Sequence, residues 1–138
     1  HLFDKPAFFR KAARWLKPGG RIAICAWLAG EQLDAEELRQ QVFDVCEGFF
    51  CPSLGSAEDY QQWMRDSGLS ISGWHNWTER VAQTWDICER RVQRTGVRGL
   101  AKLIDKNSVM FLDRFRTIRN AYDSGAMQYG CFVAEKIN

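Results

Sequence analysis

The thiol and imidazole side chains, able to act as nucleophiles, bases or metal ligands, are few and widely spaced. Five cysteines (Cys25, Cys46, Cys51, Cys88, Cys131) and two histidines (His1, His75) are scattered through 138 residues. No two cysteines form a Cys-x-x-Cys pair. Cys46 and Cys51 are separated by four residues with no histidine nearby, a poor spacing for a tetrahedral metal. Most of the thiols fall on apolar faces, which reads as buried free cysteine in a reducing compartment. A structural metal is therefore not expected. His75 and Glu79 lie near a strand end without an identifiable partner, and no role is assigned to them. Gly19-Gly20 is the one paired-glycine stretch. It follows a helical pattern and not a strand, so it reads as a helix stop and not as a phosphate-cradling loop.

The elements that would position any site can be read from periodicity. Asp4 caps a helix with Pro6 in its first turn, and Phe9, Ala12, Ala13 and Leu16 share one face. Lys17-Pro18-Gly19-Gly20 ends it. The run Ile22–Leu28 is apolar at every position, the pattern of a strand covered on both faces. Asp34 with Glu37 has capping spacing before Leu38, Val42, Val45, Cys46 and Phe49, and Cys51-Pro52 stops that helix. Ser56 with Asp59 opens another, with Tyr60, Trp63 and Met64 on its buried face and Gly68 at its end. Leu69–Trp74 begins with strand alternation. Val81, Trp85, Cys88 and Val92 mark a third long helix that breaks near Gly96 and Gly99. Phe111, Phe115, Ile118 and Tyr122 mark a fourth, ended by Ser124-Gly125, before a final strand near Met127–Ala134. The reading predicts an α/β fold with three strands, Arg21–Leu28, about Ser70–Trp77 and about Tyr129–Lys136, the last antiparallel to its neighbours.

Composition bounds the class. With 46% hydrophobic and 26% charged residues the chain is of ordinary globular type and long enough for one domain with a real core. No apolar stretch approaches the ~18–20 residues of a spanning helix. The net charge of +2 hides an asymmetry. Residues 1–79 hold 8 Lys/Arg against 11 Asp/Glu, a net −3, whereas residues 80–119 hold 10 against 4, a net +6. That basic region leaves a nucleic-acid or anionic-membrane footprint open, but a solvated helix face accounts for it more simply. No nucleic-acid partner is expected, and peripheral membrane contact stays open.

Helix, Leu-Lys-Pro-Gly-Gly, hydrophobic strand, here FFRKAARWLKPGGRIAICAW, resembles the C-terminal half of class I S-adenosylmethionine-dependent methyltransferases. SAEDYQQWMRDSGL resembles the helix before that fold's sixth strand, and ISGWHNWTERVAQTW resembles the sixth strand and the segment after it. Among these enzymes the ubiquinone/menaquinone C-methyltransferase type is similar. Tocopherol O-methyltransferases are closest in feel, with a Trp ending the fifth strand (Trp27 here) and a Trp-Ser/Thr-Glu stretch (Trp77-Thr78-Glu79) before a further Trp (Trp85). The resemblance spans essentially all 138 residues and implies the C-terminal part of a Rossmann-like fold. Its departure is the missing Gly-rich loop and ribose-binding acid, so the cofactor-binding first half is expected to lie outside residues 1–138.

The resemblance implies a role for each candidate. His1 falls where relatives end their fourth strand in histidine beside the transferred methyl, and there it can act as a base. Trp27, Phe43, Phe49, Trp85 and Phe111 fall on the acceptor side, as does Phe50, with residues 34–66 and 80–124 forming the helical acceptor-side segments. Trp27 in particular ends a buried strand at its carboxyl edge, where ligands of open α/β sheets sit. Trp27 is equally readable as core, and each of the other aromatics reads more readily as core. The implied cofactor is S-adenosylmethionine, bound by the parent protein and not by this chain alone. The implied substrate is a small aromatic or prenylated acceptor, in the cytoplasm. The rival reading is a non-catalytic methyltransferase-like module that docks on a partner chain or a membrane. Without its first half, the chain is also expected to self-associate through the bared edge of Arg21–Leu28.

Overall fold

The computed structural model describes residues 2–95 and 106–137. Asp4 starts helix α1 (Lys5–Trp15), its carboxylate accepting from Ala7 N–H at 2.7 Å, with Pro6 in the first turn. Gly19 takes φ +70 and Gly20 N–H donates to Lys17 O at 2.8 Å, so the chain reverses within four residues into strand β1 (Arg21–Ala29). Helix α2 (Glu36–Gly48) begins differently from the capping expectation. Its N-cap is Ala35, which offers no side-chain cap. Arg39 ties the turn instead, its guanidinium donating to Leu33 O at 2.6 Å, to Asp34 O at 2.8 Å and to the Glu36 carboxylate at 2.7 Å. A planar fork with five donors can hold two carbonyls and a carboxylate together, which a short Asp side chain cannot.

Helix α3 (Ala57–Asp66) opens on a complete capping box, as its sequence predicts. Asp59 N–H donates to Ser56 Oγ at 3.1 Å and Ser56 N–H to the Asp59 carboxylate at 2.8 Å. Replacing Ser56 with alanine removes one of two reciprocal bonds and is expected to lower stability by about 1 kcal/mol. Thermal melts check this, and an unchanged midpoint would show the box to be dispensable. Strand β2 (Leu69–Asn76), helix α4 (Thr78–Thr95), helix α5 (Lys106–Asp123) and strand β3 (Met127–Lys136) complete the chain. The predicted break near Gly96 and Gly99 lies outside the described residues.

The strands form one sheet in the order β1-β3-β2, with β3 antiparallel to both neighbours, as expected. One face carries Ile22, Ile24, Ala26 and Leu28 from β1 with Phe132 and Ala134 from β3. It is covered by α1 and α3 through Phe9, Ala13, Tyr60 and Met64. The sequence pattern suggested cover on both faces of β1. Among the described residues only one is covered along most of the strand, because Arg21, Ala23 and Cys25 on the other are exposed. Gly130 is demanded by close approach, since a Cβ there would overlap the Trp74 ring that stacks on Phe132.

A second cluster forms where α2, α4 and α5 meet the start of β3. Val45, Phe49, Ala82, Ile118, Ala121 and Met127 are buried there. Part of the basic surplus of residues 80–119 is answered locally. Arg116 pairs with Glu89 at 2.9 Å, Arg119 with Asp86 at 3.0 Å and also with Asp123, and Arg114 with Glu47 at 3.6 Å. These pairs take up three of the ten basic residues of that region. Among the described residues no helix is long and apolar enough to cross a membrane, and no three His, Cys, Asp or Glu side chains converge on a metal position.

Candidate functional site

A groove with about 370 Å³ of open volume runs beside the second half of β1. Its walls come from four places: Lys5, Phe8 and Phe9 of α1, the stretch Cys51–Leu54 after α2, Tyr60 of α3 and Tyr129 of β3. The floor is Ile24, Cys25, Ala26 and Trp27 in succession. Trp27 and Cys25 project to the face of the sheet that also carries Tyr129 of β3.

Trp27 sits at the carboxyl end of this floor and connects it to the second cluster. Its ring meets Phe49 edge-on at 5.3 Å and Trp85 at 5.9 Å, and Phe49 meets Trp85 at 5.5 Å. Three mutually T-shaped rings hold one another in fixed orientation, each pair worth about 0.5–1.5 kcal/mol beyond burial. Trp85 continues to Phe115 at 5.6 Å. Of the expected acceptor-side residues, the structure therefore brings Trp27, Phe49 and Trp85 together. Only Trp27 reaches the groove, with Phe49 and Trp85 supporting it from behind. Phe43 is 61% exposed on α2, and Phe50 is also exposed just past the helix. Phe111 belongs to α5, but its side chain lies outside the described residues, and so does His1.

Residues that sequence reasoning passed over complete the walls. Lys5 reads as a solvent-facing lysine of a first turn, yet it is 7% exposed. Its ammonium donates to Ser53 O at 2.8 Å, Ser53 Oγ at 3.1 Å and Leu2 O at 3.1 Å, clamping the 51–54 stretch onto α1. Tyr129 pairs across the sheet with Trp27, and burial pushes its phenol above the ordinary range. Tyr60 is pushed up to about 12, mainly by burial and further by the neighbouring Cys51. Both phenols therefore stay protonated at neutral pH.

No family model matches the chain. Over 121 residues it is 28% identical to the 27-O-demethylrifamycin SV methyltransferase of Amycolatopsis mediterranei, covering 84% of this chain and 42% of that protein. It is 22% identical to phosphoethanolamine N-methyltransferase 1 of Arabidopsis thaliana, across 99% of this chain and 27% of that protein. Its structure superposes on phosphoethanolamine N-methyltransferase 2 of Haemonchus contortus with a TM-score of 0.77 at 19% identity, covering the whole of this chain and 31% of that one. The chain is a C-terminal portion of the class I S-adenosylmethionine-dependent methyltransferase fold. It spans well under half the length of these methyltransferases. The Leu-Lys-Pro-Gly-Gly turn leads from α1 into β1 and the last strand is antiparallel to its neighbours, as the sequence reading expects.

Proposed function

We propose that the protein moves a methyl group from S-adenosylmethionine to a small acceptor, and that this chain builds the acceptor side. The observation that carries this reading is the groove at the carboxyl end of β1, walled by Trp27, Tyr60 and Tyr129 and backed by the ring triad. In open α/β sheets ligands gather at that end of the strands. The donor-side requirements fit elsewhere. Gly19 turns the chain after a helix, so this turn is no nucleotide loop, and the nucleotide is assigned to parts of the protein outside this chain.

Bound S-adenosylmethionine supplies a methyl group on a sulfonium, open to in-line displacement. The residues of this chain then do three things. Trp27 offers a π face attractive to a cation and a flat wall against which an acceptor can lie. Phe8, Phe9 and Leu54 exclude water from the groove, and Tyr60 and Tyr129 direct hydroxyl donors toward a polar group of the acceptor. Holding two reactants at attack distance accounts for up to ~7–11 kcal/mol of barrier in favourable systems. A base that takes the acceptor's proton adds about 10²–10⁴-fold, and His1 is proposed for that role.

The relatives differ in the acceptors that their names state, a rifamycin in one and phosphoethanolamine in another. We infer an acceptor with an apolar ring or chain, because the groove walls are chiefly apolar and aromatic. Five free thiols fit a reducing compartment such as the cytoplasm. The full-length protein, incubated with S-adenosylmethionine labelled on its methyl group and a panel of phenolic, prenylated and phosphorylated amine acceptors, tests the reading. Label is expected in an apolar acceptor. Label only in a phosphorylated amine would overturn the acceptor class, and label in none would overturn the activity.

The isolated 138-residue chain is expected to self-associate. The edge of β1 away from β3 carries backbone donors and acceptors beside exposed Ala23 and Cys25, and such an edge pairs readily with another strand. Sedimentation at high concentration checks this: a mass above 16.0 kDa is expected, and a persistent monomer contradicts it.

A further inference from the structure

Helix α2 is not closed by a left-handed glycine. Its last turn closes through Cys51 N–H to Cys46 O at 2.8 Å and Phe50 N–H to Glu47 O at 3.3 Å. That paired pattern requires a left-handed residue between them, and Phe50 takes φ +53 to supply it. A residue with a Cβ gives up about 1–2 kcal/mol in this conformation. The turn's result is to fold residue 51 back over residue 46, which sets the two cysteines side by side, and the Cys51 thiol donates to Ser53 O at 3.3 Å.

Cys51 also stands on the wall of the groove. The Lys5 ammonium, clamped to Ser53, places a positive charge beside it from α1, and Tyr60 faces it from α3. The bonds from Lys5 to Ser53 and Leu2 go to carbonyl and hydroxyl oxygens, neutral partners that leave its positive charge in place. A buried cation beside a thiol favours its thiolate form.

We propose that Cys46 and Cys51 form an oxidisable thiol pair on the groove wall, in which Cys51 reacts with a hydroperoxide and Cys46 resolves the product to a disulfide. Cys51 sulfur attacks one peroxide oxygen. An S–O bond forms, the O–O bond breaks, and the other oxygen leaves as alkoxide or hydroxide and takes up a proton. Cys46 sulfur then attacks the sulfenic sulfur of Cys51. An S–S bond forms, the S–O bond breaks, and hydroxide leaves as water with the proton of Cys46. Two thiols lose two electrons and the hydroperoxide is reduced to an alcohol and water, or to two waters. Disulfide formation removes the negative charge that faces Lys5.

The protonation states match this division of labour. Cys51 is lowered to about 6, first by the hydrogen bond from Cys46 and also by Lys5, against the opposing effect of burial. Cys46 is pushed well above the usual thiol range, first by that same bond and then by burial. Cys25 and Cys131 provide a comparison within the same molecule. They face each other across β1 and β3, but Cys131 is buried and its thiol is pushed up, chiefly by that burial.

The full-length protein treated with limiting hydrogen peroxide and mapped by peptide mass spectrometry tests the proposal. The expected product is a Cys46–Cys51 disulfide, seen as the loss of two hydrogens and reversed by dithiothreitol. In Cys46→Ser, dimedone is expected to trap a sulfenic acid at Cys51. Iodoacetamide labelling of Cys51 is expected to rise through pH 6 and then level off, because the thiolate is the reacting form. Oxidation appearing first at Cys25–Cys131, no dimedone adduct at Cys51 in Cys46→Ser, or labelling that climbs only toward pH 9 would each overturn it.

Discussion

Phe132→Ala is expected to lower stability by about 3–5 kcal/mol, a large share of the ~5–15 kcal/mol that holds an ordinary domain folded. Phe132 is fully buried on the central strand of the sheet. Its ring stacks on Trp74 at 4.5 Å and on Tyr60 at 5.4 Å with an interplanar angle of 7°. Truncation removes the shared partner of two ring pairs, one on β2 and one on α3, and leaves a cavity that neither can fill without leaving its own place. Gly130, tight against Trp74, blocks the most direct collapse. Denaturant titration measures the loss. A cost below 1 kcal/mol would mean that the sheet and α3 are not joined through this residue. Phe132→Leu, which keeps more of the volume, is expected to cost less.

Trp27→Ala in the full-length protein is expected to lower kcat/KM for the acceptor about 100-fold, equivalent to about 2.7 kcal/mol of transition-state stabilisation. Trp27 floors the groove and is the one ring of its triad to reach it, so alanine removes the wall and frees Phe49 and Trp85 to shift. Trp27→Phe keeps a flat ring and is expected to recover most of the rate. Cofactor affinity should change much less than the acceptor terms, since the nucleotide is assigned elsewhere. An equal loss in both, or an unchanged kcat/KM, would move the acceptor away from β1.

What the sequence disclosed was the part that local physics decides. Asp4, Pro6 and the Ser56–Asp59 box specify helix starts through backbone donors a few residues away, and each appears where it was expected. The apolar run Ile22–Leu28 identified β1, but not how many of its faces are covered, because small Ala23 and Cys25 are apolar whether or not anything packs on them. Asp34 had the right spacing for a cap and lost to Arg39, a longer side chain with more donors. Of the residues that line the groove, Trp27 is the one the sequence singled out, through its place at a strand's carboxyl end. Lys5 and Tyr129 reach the groove through tertiary packing. Cys51 does so through a left-handed Phe50, and no local pattern announces that turn.

The division of labour between this chain and the remainder of its protein is most directly tested by calorimetric titration with S-adenosylmethionine, on the full-length protein and on residues 1–138 alone. Saturable binding is expected for the full-length protein, and none for the isolated chain at millimolar cofactor. Micromolar binding by the isolated chain, or no binding by the full-length protein, would contradict the assignment of the acceptor side to this chain and the nucleotide to the rest.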